Sequence, residues 1–347
     1  MVAVASAGTA LAKSHLAKAH HKARGHALHA TSLVPGFAPH RRASLRAFGE
    51  VSHGRKAHHR HHRQAPHRQP QPRHRRLGTT LSIYEQTAKP WILARQGCSA
   101  ARRHESGVVV LDFGKPAFHR HGYGTILFSG RFARNHRITM AMVGYARGYV
   151  RCLPRGSHAF ITLARGTSNY HPMVPSAYRA GVRWARATDK LARILKRHGL
   201  DRHVESAAAD DAEPAWDRHF RKTRLFFHGF RTAVHGHTLY DYGSLDGGVG
   251  AVWSARQAWY VAGGLRHTKA LPEIYNSAMA REWAELARIA RRRYHLGVRF
   301  AGVMTQGGAS CRCGLRPHAA HRVLARALAA AGEDRTLLPR GGTNIVG

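Results

Sequence analysis

Carboxylates are what this sequence has least of for its size. Its 347 residues carry 18 Asp plus Glu against 56 Lys plus Arg, a formal net charge of +38. Each acid that remains is therefore worth locating. Cysteine is scarce as well, with four residues at Cys98, Cys152, Cys311 and Cys313, too few for a small scaffold held by disulfides alone. No apolar run reaches the roughly 18 residues that a membrane-spanning helix needs. Neither Gly-x-Gly-x-x-Gly after a strand nor Gly-x-x-x-x-Gly-Lys-Ser/Thr is present, which removes the familiar phosphate cradles of nucleotide-binding folds. Gly-x-Ser-x-Gly and His-Glu-x-x-His are missing too, so a serine hydrolase built on a nucleophile elbow and a zincin are unsupported.

What is there is enough for a core. Apolar residues make up 43% of the chain, which places it among globular proteins. The charge is unevenly spread: residues 13–76 hold 15 Lys or Arg and 13 His against one carboxylate, Glu50. Such a stretch cannot bury enough apolar surface to offset its chain entropy, so residues 13–77 are predicted to be a disordered basic tail. Before it, residues 1–12 (MVAVASAGTALA) are apolar and end in a small-x-small pattern, read as the remnant of an export signal. Residues 78–106 are read as a lead-in segment and 107–347 as the folded domain.

The cysteines fit an exported chain. Cys311 and Cys313 stand too close to bond each other without strain, so one is expected to reach Cys98 and the other Cys152, or a single such bridge to form. Zinc is the rival reading, but the usual Cys-x-x-Cys pairs are absent.

From Gly107 onward, short apolar runs alternate with helix-like segments. The runs cover residues 108–114, 160–166, 203–211, 238–243, 270–276 and 299–306, and suit strands buried on both faces. Residues 124–130 read as a hairpin excursion after the first strand. One amphipathic helix carries Tyr178, Val182, Ala185, Ala192 and Leu195, opened by Pro175-Ser176 and closed by Gly199. A second carries Met279, Trp283, Leu286 and Ala290 behind a cap at Asn276 or Ser277, and a third runs from Pro317 to Gly332. Helices between strands mean right-handed crossovers and a parallel sheet. Without a nucleotide fingerprint, a (β/α)8 TIM-like barrel is favoured over a doubly wound sheet, irregular or incomplete because six or seven strands are visible.

The rare acids fall at the ends of those strands. Asp112, Asp210, Asp211, Glu213, Asp241 and Glu273 all sit in or just after their C-terminal portions, which a barrel brings to one mouth. A salt-bridge network with the abundant arginines would be the structural alternative; a functional cleft is the other. Within residues 209–216 (ADDAEPAW), Asp211 and Glu213 share a strand face with backbones about 6.6 Å apart, while Asp210 points the other way. Two carboxyls so placed suit glycoside hydrolysis, one kept protonated as general acid and the other ionised. Trp216 would offer a ring to a sugar.

On Asp211-Ala212-Glu213, Asp112, Tyr240-Asp241-Tyr242 and Glu273-Ile274-Tyr275, the chain resembles the superfamily of glycoside-hydrolase-like (β/α)8 barrels, particularly secreted muramidase-type and chitinase-type domains. The resemblance implies that Glu213 is the proton donor and Asp211 its partner. Tyr240, Tyr242, Tyr275, Gln306 and Asp246 in the glycine-rich loop 243–250 are then expected to contact substrate. No cofactor is expected. His119, His121, His235 and His237 form His-x-His pairs, but with 29 His in the chain chance spacing explains them, and no metal is assigned.

Together these readings describe a secreted or wall-associated protein acting on or binding cell-wall or other glycans. The alternative is a non-catalytic surface protein whose basic tail holds a polyanion by charge. The tail lacks interleaved aromatics and no zinc-finger or RNA-recognition signature occurs, so no dedicated nucleic-acid module is expected.

Overall fold

The computed structural model describes residues 78–120, 122–306 and 314–347. The expected signal remnant, the basic tail, His121 and the Cys311–Cys313 pair lie outside the described residues.

The described chain is α/β. Strand β1 (Thr79–Tyr84) leads into helix α1 (Pro90–Arg102), then β2 (Gly107–Asp112), an excursion of β3 (Lys115–His119), β4 (Gly122–Ile126) and β5 (Phe132–Arg134), and α2 (Asn135–Cys152). There follow β6 (Ile161–Ser168), α3 (Ala177–Arg197), β7 (Val204–Asp211), α4 (Arg221–Ala233), β8 (Leu239–Asp241), α5 (Ala255–Trp259), β9 (Thr268–Ala270), α6 (Ser277–Tyr294), β10 (Met304–Thr305), α7 (Pro317–Ala330) and β11 (Gly342–Val346). Eight of the strands form one sheet in the order β10-β11-β1-β2-β6-β7-β8-β9, and every neighbouring pair in it is parallel. The sheet rolls into a half barrel with seven helices around it among the described residues. Two isolated parallel bridges, Ala270 with Phe300 and Glu273 with Met304, link the region of β9 to that of β10. The Ile274 amide donates to the Met304 carbonyl at 2.9 Å, and Met304 in turn donates to Pro272 at 2.8 Å.

Residues 78–106 are not a lead-in. They supply the first strand and helix of the same sheet, with β1 between β2 and β11. The strand TTLSIY is short and rich in hydroxyls because its inward face bonds rather than packs: Ser82 Oγ lies 2.7 Å from Thr343 Oγ1 and accepts from the Val110 amide at 2.7 Å. The expected excursion is present as a three-stranded antiparallel sheet, β3-β4-β5.

The caps read from sequence hold. Ser176 accepts from the Arg179 amide at the start of α3, Asn276 accepts from Ala278 and Met279 at the start of α6, and Pro317 opens α7.

Helices α1 and α2 run parallel and in step. A Cβ built on Gly144 would lie 2.2 Å from the Pro90 carbonyl, and one on Gly148 would lie 1.9 Å from that of Ala94. Four residues further along each helix, Cys98 and Cys152 form a disulfide with Cα atoms 5.0 Å apart. The bridge thus differs from the expected pairing of these cysteines with Cys311 and Cys313. Once α1 is recognised as a neighbour of α2, the spacing 90/144, 94/148 and 98/152 makes the pair a consequence of glycine-mediated close packing.

Strand alternation sorts side chains to two faces. Val108, Val110, Ala164, Ala207, Ala209, Tyr242 and Ile345 form the cluster on the concave face. Val109, Leu111, Ile161 and Leu163 pack under α1, α2 and α3, while Ala208 and Leu239 pack under α3 and α4.

Candidate active site

At the C-terminal ends of the strands the concave face changes from aliphatic to acidic. Asp112 ends β2 two residues beyond Val110, and Asp211 ends β7 two residues beyond Ala209. Glu213 follows Asp211 on the same face, and Glu273 comes two residues after Leu271. Asp211, Glu213 and Glu273 each place one carboxylate oxygen within 4.8 Å of the other two, close enough for each charge to oppose ionisation of the others or for one cation to be held between them. Asp112, Asp211 and Glu273 are buried and Glu213 is partly exposed.

No basic side chain among the described residues pairs with them. Ion pairs among the described residues engage Glu105, Asp189, Glu285 and Glu333, and none of the four mouth acids. A salt-bridge network therefore does not explain why the acids gather. Burial raises Asp112 to about 6, restrained by the Gly114 amide and the Tyr242 hydroxyl. Burial likewise raises Glu273 to about 7, against the pull of the Tyr275 hydroxyl, which donates to Glu273 Oε1. Asp211 and Glu213 are each pushed well above the carboxylate range: Asp211 by desolvation and then by Glu213 and Glu273, and Glu213 by desolvation and then by Glu273 and Asp246. Asp211 Oδ1 is buried with no hydrogen-bond partner among the described residues. Carboxyls that cannot all ionise together hold a proton where ordinary acids have lost theirs.

Tyrosines and amides complete the site. The Tyr242 hydroxyl donates to the Thr167 carbonyl at 3.2 Å. Gln306 Nε2 lies 3.5 Å from the Tyr84 hydroxyl, and Tyr84 feels Asp211, Glu273, Asp112 and Glu213 together. The half-exposed Phe128 ring packs on Tyr84 with centroids 4.8 Å apart. Asn169 clamps the Glu213 backbone from both sides: its Nδ2 donates to the Glu213 carbonyl at 2.9 Å and its Oδ1 accepts from the Glu213 amide at 3.0 Å. Asp246 sits at the rim, where its carboxylate accepts from the Ala215 amide at 2.6 Å and from the Ser244 hydroxyl at 2.8 Å. The same hydroxyl lies 3.4 Å from Glu213 Oε1.

The structure does not bring every expected residue here. Asp210 and Asp241, paired in register across β7 and β8, occupy the helix-facing positions between Ala208 and Ala212 and after Leu239. Asp210 lines a cavity of about 10 Å³ with Ser168, Asn169 and Thr223, and burial raises Asp241 to about 8. Tyr240 is on the concave face, but its hydroxyl bonds Thr162 near Glu205, at the opposite end of the strands. Trp216 sits in the 3-10 turn Pro214–Trp216 and packs edge-on against Tyr170 at 5.3 Å. His235 and His237 both approach Asp189, at 2.7 and 3.8 Å.

Sequence reasoning missed Tyr84, Phe128 and Asn169. Tyr84 was findable, since it closes an alternating Thr80, Ser82, Tyr84 face. Asn169 carries no signal, because its role is to bond a backbone 44 residues away. Comparison with family models, curated proteins and solved structures finds no match to this chain.

Proposed function

We propose that the protein is a glycoside-hydrolase-like enzyme acting on extracellular or cell-wall glycans, with the eight parallel strands and their two linking bridges forming an irregular (β/α)8 barrel. The observation that carries this reading is the meeting of Asp211, Glu213 and Glu273 at the strand ends, oxygens within 4.8 Å, with no ion pair to a basic side chain among the described residues.

Glu213, the most accessible of the four acids, serves as general acid. Its proton passes to the glycosidic oxygen as the bond from that oxygen to the anomeric carbon breaks. With the proton of the crowded pair placed on Glu213, Asp211 is the partner that carries the negative charge, and it bonds the anomeric carbon from the opposite side. Water then attacks that carbon, Glu213 takes the water's proton, and the bond to Asp211 is released. Carboxyls this close fit the roughly 5 Å separation of retaining enzymes better than the 6.5 Å or more of inverting ones. Asn169 fixes Glu213, and Tyr275 orients Glu273. Tyr84 and Phe128 offer a ring face beside the acids on which a sugar can stack.

The Cys98–Cys152 disulfide supports an oxidising compartment, and no described helix is long and apolar enough to cross a membrane. The excess of 56 basic residues over 18 acidic ones supports retention on anionic wall polymer, with affinity falling steeply as salt rises.

The test is hydrolysis of a panel of wall and chitin-type oligosaccharides by the wild type and by Glu213→Gln. Turnover that the substitution removes, with the product's anomeric configuration kept, is the expected result. Turnover unchanged by the substitution would overturn the assignment.

A further inference from the structure

A second cleft has none of the acids in its lining, and its chemistry is opposite. It encloses about 570 Å³ between the start of α4 and α5 and is lined by Arg221, Arg224, Arg256, His219, Phe220 and Tyr260, among others. That volume falls in the range of small-molecule sites, roughly 300 to 1,000 Å³. No carboxylate lines it, and none of the three arginines joins an ion pair among the described residues. Three guanidinium groups around one space repel each other unless something negative enters.

The cleft is built, not incidental to a basic surface. Phe220 holds left-handed backbone, φ 59°, at the residue before α4, a conformation costly for a bulky side chain. What maintains it is packing: the buried ring sits edge-on to Trp253 at 4.8 Å and to Tyr260 at 5.6 Å. That turn sets Arg221 and Arg224 on the cleft wall opposite Arg256, which follows the Ser254 cap of α5. Both walls belong to segments that follow β7 and β8, so the cleft opens at the end of the sheet that carries Asp211 and Glu213.

We propose that this cleft is a binding site for an anionic group, a carboxylate or phosphodiester, carried by a polymer whose neighbouring residues reach the acidic mouth. Arginine forks bind either oxyanion in two-pronged fashion, and the Tyr260 ring offers a face to the attached sugar or polyol. The mouth itself, acidic and with no ion-paired base among the described residues, disfavours such a group. The two sites therefore select a polymer in which charged and uncharged units alternate or adjoin. The assignment goes beyond the hydrolase reading and does not need the acids to cleave.

The experiment uses the full chain with three probes: a glycerol-phosphate oligomer, a galacturonate oligomer and a neutral N-acetylglucosamine oligomer. Hydrogen exchange is followed with each, and affinities are compared with those of Arg221→Gln/Arg224→Gln/Arg256→Gln. Protection of segments 219–224 and 254–260 by one or both anionic probes is expected, together with a loss of affinity of about tenfold or more in the triple variant, since bonds to charged groups are each worth roughly that factor. Protection by the phosphate probe alone identifies a phosphodiester ligand, and by the uronate alone a carboxylate. Protection confined to residues 1–77, equal protection by the neutral oligomer, or an affinity unchanged in the triple variant would overturn the site. Cleft binding that persists in a chain without glycan turnover removes the hydrolase reading and leaves this one standing.

Discussion

Glu85 offers a quantitative test of how the strand ends treat acids. It follows Tyr84 and faces the helices, where its carboxylate meets Gln96 Nε2 at 3.4 Å and Oε1 has no hydrogen-bond partner among the described residues. Burial raises it from an ordinary 4.5 to about 8, with Asp112 adding to the rise and Gln96 opposing it. A carboxyl raised on folding makes the native state bind more protons than the unfolded chain between those two values. Stability is therefore lost as pH climbs through that window, and the two states are equally protonated below it. Integrated over the window, the penalty is about 3 kcal/mol at pH 7 and approaches about 5 above pH 8. Glu85→Gln keeps the shape and removes the titration. Its melting temperature should match the wild type near pH 4.5 and exceed it by roughly 6–12 °C at pH 7, at 2–4 °C per kcal/mol for a domain of this size. Thermal melts of both proteins at half-unit steps from pH 4.5 to 8.5 make the comparison. A difference that stays constant across the range would show that Glu85 ionises normally and that burial at this sheet end does not act as argued.

Other perturbations follow from the packing. Replacing Cys98 and Cys152 together by Ser frees a loop of 54 residues in the unfolded chain and should cost about 4 kcal/mol, read by chemical denaturation. Gly148→Ala puts a methyl 1.9 Å from the Ala94 carbonyl, so α1 and α2 must separate; a loss of about 2 kcal/mol or more is expected, with free thiol appearing in a thiol assay as the bridge fails to form. Asn169→Ala leaves the Glu213 amide and carbonyl without their partner and should lower kcat more than it raises KM in any glycan assay, whereas Asn169→Asp, which keeps the acceptor for the amide, should recover part of the loss.

The acids were legible because they are so few. Asp112, Asp211, Glu213 and Glu273 could be picked out at strand ends in a chain with 56 basic residues against 18 acidic ones, and alternation already separated Asp210 from Asp211. The same alternation applied to Leu239, Tyr240 and Asp241 would have turned Asp241 away from the mouth. Tyr240 needed depth as well as face, which periodicity does not supply. Helix α2 (Asn135–Cys152) escaped notice because it is buried around most of its circumference, leaving no polar stripe to reveal its period. Strand β1 escaped because its inward Thr80 and Ser82 are hydrogen-bonded rather than apolar. With α1 unseen, the partner of Cys98 could not be inferred, since the bridge depends on two helices lying in step.

The central claim is that the strand-end acids resist ionisation because they are buried together with no ion-pair partner among the described residues, and that Glu213 holds the proton. A carbon-13 NMR titration of the glutamate side-chain carboxyls in the full chain, with Glu213→Gln to assign the resonance, tests this without knowledge of the substrate. The Glu213 carboxyl should lose its proton well above the ordinary carboxylate range and shift toward that range when Asp211→Asn or Glu273→Gln removes a neighbouring charge. A Glu213 that ionises near 4.5 in the wild type, or one indifferent to both substitutions, would contradict it.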